Sequence, residues 1–253
     1  MLSLGIPVCG RPDRLNNLLA SLDHSLFSSI VVVNTTPDHQ AEIHELYDQL
    51  FKTYNCLEIR SPWSGPSAAR QHAVVKSLDL GADHILLLDE DLVACEHTVN
   101  RMLELMQSNP DIDICSGRWI DFRNDSQNDR PLGFIYLESI RQGMKCIEKH
   151  RYPSQGRKHP LQLHDVQASM LAKASIFQQV SFDPKYEFFM ELFDFFYQCY
   201  KSDIKIFVNP SSVFKHYPGS YQTGSQKRNA DKKKKEAQKY FESKWGVQPI
   251  IGN

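Results

Sequence analysis

The stretch from Gly81 to Leu92, GADHILLLDEDL, constrains this chain more than any other. Four consecutive apolar residues, Ile85, Leu86, Leu87 and Leu88, are bounded by polar ones. They suit a strand buried on both faces, the kind a parallel sheet carries beneath helices. In open α/β sheets ligands bind at the carboxyl ends of the strands, so Asp89, Glu90 and Asp91 belong at the floor of a crevice. In an extended segment Asp89 and Asp91 point the same way, and two close carboxylates resist shared ionisation unless a cation compensates. Oxygen ligands of this kind suit Mg²⁺ or Mn²⁺. A polar loop that follows a strand and holds no metal accounts for the tripeptide equally well.

The chain before this stretch alternates. Leu2 to Val8 reads as a short strand running into Cys9, Gly10, Arg11 and Pro12. Pro12 and Asp13 open a helix whose Leu15, Leu18, Leu19 and Leu22 form one stripe at i, i+3, i+4 and i+7. Ile30 to Val33 is a second strand ending at Asn34. Ile43, Leu46, Tyr47, Leu50 and Phe51 repeat the helical spacing, and Leu57 to Ile59 is a third strand. This βαβαβ order implies parallel strands with right-handed crossovers. RSPWSGPSAAR, residues 60–70, reads as a loop that enters a helix near Pro66 or Ser67. Local pattern alone favours an exposed helix position for Arg70 over a phosphate contact.

Beyond the acidic turn, Val99, Met102, Leu103 and Met106 mark a helix stopped by Asn109-Pro110, and Ile112 to Ser116 a further strand. From Asp121 to His164 the apolar pattern weakens around one strand, Leu132 to Leu137, and substrate-specific insertions are expected there. His164-Asp165 reads as a local hydrogen-bonded pair in preference to a catalytic one. Residues 186–200, YEFFMELFDFFYQCY, read as one aromatic helix with Glu187, Glu191 and Asp194 on a narrow stripe facing either water or a polar cleft. In the cleft, burial and mutual repulsion would raise one carboxylate's pKa, as a general base requires. A strand from Ile204 to Val208 follows, and then His216. If that strand lies beside Asp91, a neutral imidazole completes a site better suited to Mn²⁺ than to Mg²⁺. Residues 217–226 have the composition of a mobile loop, with Lys227 and Arg228 able to close on a phosphate. Lys232 to Trp245 reads as a helix with a solvated lysine face; attraction to an anionic membrane surface is the weaker reading.

Composition excludes several classes. A net charge of −1 gives no support for a nucleic-acid partner. The six cysteines show no metal spacing and read as reduced thiols of a cytoplasmic protein. No segment has the roughly 20 apolar residues of a membrane span, and the first residues lack a signal peptide's pattern. A sugar nucleotidyltransferase would need a triphosphate-binding loop, for which GRPDR is too poor in glycine. A catalytically inactive sugar-nucleotide or glycan binding module stays open as an alternative.

Taken together and in order, LSLGIPVCGRP, GPSAARQHA, ADHILLLDEDL, FDPKYEFFMELFDFF, VFKHYP and YFESKWG resemble nucleotide-sugar glycosyltransferases of the GT-A fold. Family 2 is the nearest general match, and the EFF segment is similar to the β1,4-N-acetylgalactosaminyltransferase branch, family 12, and related glucuronyltransferases. The fold so implied is α/β: a single Rossmann-like, mostly parallel sheet flanked by helices, with a smaller acceptor-side part. One domain, 1–253, would comprise a nucleotide-sugar-binding half (1–117) and an acceptor-binding and catalytic half (118–253).

The implied activity is metal-dependent, inverting transfer of a sugar from a nucleotide sugar, a UDP-sugar first, to a hydroxyl of a glycan or glycolipid. Asp89 and Asp91 match the family's DxD, with Asp91 on the metal and Asp89 on the ribose or the metal. His216 matches the C-terminal metal ligand, and Mn²⁺ or Mg²⁺ is the implied ion. Pro7, Cys9 and Arg11 match the nucleotide-binding edge of the first strand, and Arg70 the arginine near the diphosphate. Asn34 stands where the family often has an aspartate that recognises uracil. The family's Glu-Asp pair is not intact, since Leu192 follows Glu191; Glu191 is therefore named as the base, with Glu187 as the alternative. The expected location is cytoplasmic, with peripheral contact at the inner membrane face through the basic C-terminal segment as the weaker reading.

Overall fold

The computed structural model describes residues 1–62, 64–123, 126–154, 156–187, 189–218 and 224–251, and for 224–229 and 251 the backbone alone. The N-terminal alternation is realised as β1 (Leu2–Val8), α1 (Pro12–Ala20), β2 (Ser29–Asn34), α2 (Ala41–Thr53), β3 (Leu57–Arg60), α3 (Pro66–Asp79), β4 (His84–Leu87), a short β5 (Leu92–Ala94) and α4 (Thr98–Ser108). The C-terminal part comprises β6 (Ile114–Arg123), β7 (Ser126–Asp129), β8 (Gly133–Arg141), β9 (Met144–Tyr152), β10 (Leu161–Leu163), β11 (Asp165–Val166), β12 (Met170–Lys173), α5 (Glu191–Lys201), β13 (Ile206–His216), α6 (Gly224–Trp245) and β14 (Gln248–Ile251).

The main sheet runs β10-β13-β6-β12-β4-β1-β2-β3, with β5 paired to β13 and β7 to β6. Its β4-β1-β2-β3 half is wholly parallel. In the other half β12 is antiparallel to both β4 and β6, while β13 runs parallel to β6, so the sheet is mixed. Residues 121–164 hold more than the one expected strand: β8 and β9 form a hairpin that, with β11 and β14, makes a second four-stranded sheet. Its exposed, charge-rich strands lack a clean apolar alternation, which is why their pattern looked weak.

Each face of the main sheet carries its own core. Leu15, Leu18 and Leu19 of α1, Tyr47 of α2 and Met102 of α4 cover one face; Ala73 of α3, Phe196 of α5 and Phe241 of α6 cover the other together with the second sheet. Ile85 to Leu88 are buried, as a strand covered on both sides demands. A Cβ on Gly5 would stand 2.8 Å from Leu87 Cδ2 and 3.0 Å from the Ala73 Cβ, so the bare glycine of β1 lets α3 lie close over the sheet. Leu46 and Leu57 remain exposed, the first on the outer face of α2 and the second on the edge strand β3. All six cysteines are free thiols.

Two helix starts differ from the sequence reading. The aromatic helix begins only at Glu191, because Phe189 and Met190 have φ of 70° and 61° and break it. Glu187, Glu191 and Asp194 therefore form no single stripe. The C-terminal helix begins at Gly224 in place of Lys232. The expected closing loop lies, from Gly219 to Thr223, outside the described residues, as do the side chains of Lys227 and Arg228.

Candidate active site

The cleft opens where β1, β2 and β4 end, the position an open α/β sheet offers a ligand. It encloses about 510 Å³, and Pro7, Cys9, Arg11, Arg70, Asp89, Asp91, Glu191 and His216 all line it. The acidic segment is not extended. Leu92 N–H donates to the Asp89 carbonyl at 3.2 Å, closing a turn that sends the three carboxylates to different partners.

Glu90 points inward and is 2% exposed. Its oxygens accept from the Cys9 N–H at 3.1 Å, Arg11 Nε at 2.8 Å and the Tyr47 hydroxyl at 3.2 Å. Burial pushes this carboxyl up to about 7, against the opposing pull of Arg11 and the Cys9 N–H. Tyr47 also accepts from the Arg11 N–H at 2.8 Å, so a helix residue that reads as plain apolar core anchors the β1–α1 loop. No local signal marks Glu90 and Tyr47 as partners, because 43 residues separate them.

Arg70 is buried, contrary to the exposed position that local pattern favours. Its guanidinium donates to Asp89 Oδ1 at 2.6 Å and to Glu191 Oε1 at 3.5 Å, and these two carboxylates hold its pKa up although burial works to lower it. Arg11 spans the other two acids, reaching Asp91 Oδ2 with its Nη1 at 3.1 Å. Asp91 lies below the usual carboxylate range, its charged and hydrogen-bonding neighbours, Arg11 among them, outweighing its burial.

Antiparallel pairing of β5 with β13 sets His216 opposite Leu92, beside the acidic turn. Its Nε2 stands 3.6 Å from Asp91 Oδ1, longer than a hydrogen bond, and its Nδ1 lies 2.7 Å from Asp121 Oδ1. Two ligands of one ion at about 2.1 Å bonds stand about 3–4 Å apart, so an oxygen and an imidazole nitrogen at this spacing fit a divalent cation. Among the described residues no group of three or more His, Cys, Asp or Glu side chains is gathered to hold a metal. The pair therefore suits an ion whose remaining positions are filled by phosphate oxygens and water, as Mg²⁺ and Mn²⁺ sites commonly are.

Two expected residues stand elsewhere. Asn34 is buried at the end of β2, where its amide donates to Glu58 at 2.9 Å; Thr35 and Pro37 line the cleft in its place. Glu187 is exposed and pairs with Lys233 at 3.2 Å. Asp194 lies inside the fold, accepting from Tyr186, Gln198, Lys244 and Trp245, and its role there is to pack α6. His164 and Asp165 each hold Tyr136 of the second sheet, His164 Nδ1 accepting from its N–H and Asp165 from its hydroxyl.

Residues 3–178, more than two thirds of the chain, match the profile described as Glycosyl transferase family 2. The chain belongs to that family. The match takes in Arg11, Arg70 and the acidic turn, while Glu191 and His216 of this glycosyltransferase lie beyond it and reach the cleft through the fold. Among solved structures, GalNAc-T7, crystallised with UDP, GalNAc and Mn²⁺, superposes with a TM-score of 0.65 at 13% identity over 86% of this chain and 44% of that one. S. aureus TarS superposes at 0.59 and 12% identity over 86% of this chain and 36% of that one, and its 1–349 fragment at 0.59 and 12% over 85% and 60%. At these identities the likeness is one of fold, and it is the GT-A fold that the sequence resemblance implied. The glycosyltransferase chain spans between about a third and three fifths of these structures' lengths. A comparison with curated protein sequences finds no match. Among the described residues no helix is long and apolar enough to cross a membrane.

Proposed function

We propose that this glycosyltransferase transfers a sugar from a UDP-sugar to a hydroxyl of a glycan or glycolipid, with inversion and with Mn²⁺ or Mg²⁺ bound. The observation that carries this reading is the facing pair Asp91 Oδ1 and His216 Nε2, 3.6 Å apart on the cleft that Glu191 also lines. The fold likeness to GalNAc-T7, a protein crystallised with UDP, GalNAc and Mn²⁺, supports the donor and the ion.

Asp91 and His216 would hold the ion, which when bound neutralises charge that builds on a leaving diphosphate. Cys9, Thr35 and Pro37 offer the nucleoside a wall at the ends of β1 and β2. Arg11 and Arg70 are the cations of the cleft, and Arg70 also orients Asp89 and Glu191. Glu191 takes the proton of the acceptor hydroxyl. The acceptor oxygen bonds to the anomeric carbon as the bond from that carbon to the diphosphate oxygen breaks, its electron pair leaving with the diphosphate. A single displacement of this kind inverts the configuration. Mn²⁺ is favoured over Mg²⁺ because an imidazole nitrogen joins the carboxylate.

Residues 1–117 serve as the donor half in this reading and 118–253 as the acceptor half. The exposed run Lys232 to Lys235 of α6 supports peripheral contact with an anionic inner membrane face in a cytoplasmic protein of polysaccharide biosynthesis. The test is a thermal-shift series of nucleoside diphosphates and their sugars, each with Mn²⁺ and with chelator. Selective stabilisation by UDP and one UDP-sugar, abolished by chelator, is expected from mass action. Equal, metal-independent responses to all of them would overturn the reading, and stabilisation without turnover would favour an inactive binding module.

A further inference from the structure

The hydrogen bond behind His216 goes beyond what holding a strand in place requires. β13 runs parallel to β6, and an irregularity between Asn209 and Val213 shifts its register so that His216 pairs directly with Asp121. Asp121 Oδ1 lies 2.7 Å from His216 Nδ1 and also accepts from Arg130 Nε at 2.8 Å, while Arg123 stands 3.7 Å from Oδ2. An ionised carboxylate can only accept, so the hydrogen of the imidazole must sit on Nδ1. The Trp119 ring lies 4.6 Å from the imidazole, tilted 37°, and Arg130 lies over that indole at 5.4 Å. The ring is thus held by a tilted indole and, at one nitrogen, by a carboxylate. Its other nitrogen, Nε2, is left facing a second carboxylate that it is too far from to bond.

We propose that Asp121 is a positioning residue that fixes neutral His216 in the Nδ1–H tautomer, so that the Nε2 lone pair is presented toward Asp91 for a divalent cation. This rests on the reading of Asp91 and His216 as the pair that holds the ion. A carboxylate behind a metal-binding histidine makes the ring a better ligand as well as an oriented one, and loss of such a partner typically weakens metal binding 10–100-fold.

The experiment has two readouts on the same preparations of full-length protein. The first is the ¹⁵N pattern of the histidine rings in metal-free protein at about pH 7.5, where the two ring nitrogens report the tautomer. His216 is assigned among the ten histidines by its absence in His216→Ala. The second is the affinity for Mn²⁺ alone, read by electron paramagnetic resonance. Wild type is expected to show His216 protonated at Nδ1 and bare at Nε2. Asp121→Asn should mix the tautomers and raise the Mn²⁺ dissociation constant roughly 10–100-fold, with Asp121→Glu restoring part of both. A wild-type ring protonated at Nε2, alone or together with Nδ1, would overturn the proposal without recourse to any variant. So would an Asp121→Asn protein that keeps both the tautomer and the affinity. If wild type and His216→Ala bind Mn²⁺ equally, it is the ion-holding pair itself that fails, and the ring pattern still reports separately whether Asp121 sets the tautomer.

Discussion

Arg70 Nη2 and Asp89 Oδ1 meet at 2.6 Å, joining the first turns of α3 to the end of β4 with the guanidinium 5% exposed. The same guanidinium reaches Glu191 at the start of α5, so one side chain ties the donor side of the cleft to the residue proposed as the base. Removing one partner of a buried ion pair strands the other, at a cost of about 3–5 kcal/mol when both are fully buried. Asp89 is partly exposed, so Arg70→Met should lose about 3 kcal/mol in urea unfolding. The double variant Arg70→Met/Asp89→Asn should lose less than the sum of the singles. Additive losses would show that the two residues act independently.

Glu191 and Glu187 make a direct comparison, since only the first lines the cleft. Glu191→Gln should lower kcat about 10²–10⁴-fold, the range for a lost general base. UDP affinity should stay within a factor of two or three of wild type. Glu187→Gln, which breaks only an exposed pair with Lys233, should leave kcat nearly unchanged. The reverse ranking would move the base to the loop before α5.

Gly65 precedes α3 with an ordinary φ of −70°, so a side chain there is opposed by crowding alone. A Cβ would fall 2.1 Å from the Glu187 carbonyl oxygen, and that backbone leads directly into Glu191. Gly65→Ala should therefore destabilise the fold by about 1–3 kcal/mol and lower kcat by shifting Glu191. A protein with unchanged melting temperature and rate would show that the 187–190 segment yields freely.

The docking of α6 should fail at both pH extremes. Lys244 donates to Asp183 and Asp194 at 2.9 Å each, and Tyr240 donates to Asp183 at 2.9 Å. Asp183 is partly buried, but the bonds from Lys244, the Lys185 N–H and Tyr240 together outweigh that burial and hold its carboxyl below the usual range. Its stabilisation is complete above the unfolded value of about 3.9 and is lost as pH falls through the folded value. Lys244 is raised, its two carboxylates outweighing burial. Its contribution is complete below about 10.4 and is lost as pH rises through the folded value. Urea midpoints should be highest between these limits, and Asp183→Asn should flatten the acid side of the profile. An unchanged acid slope in that variant would place the proton uptake elsewhere.

Legibility along this chain follows the range of the interactions. Burial alternation and helical stripes are local, so Leu2–Val8 and the stripe of α1 could be read without coordinates. The ILLL run reported its own burial, and the acidic turn after it marked the cleft, because strand ends in a parallel sheet share one edge. The second sheet could not be read, since strands stabilised by pairing and by exposed charged side chains carry no apolar period. The helix expected over residues 186–200 starts only at Glu191, because Phe189 and Met190 take up a positive φ that no apolar period reports.

The sequence by itself determined the elements of the first half, the family resemblance, and the residue types that gather at the cleft. Only the tertiary structure decided which of them act together. It turned Arg70 from a surface cation into the buried link between Asp89 and Glu191, and it gave Glu90 three donors from Cys9, Arg11 and Tyr47. It also set Asp121 behind His216 through strand register across 95 residues of chain. Periodicity reports which face a residue shows to its neighbours a few positions away. Partnerships between charges depend on sheet order and register, which are settled only when the whole core packs.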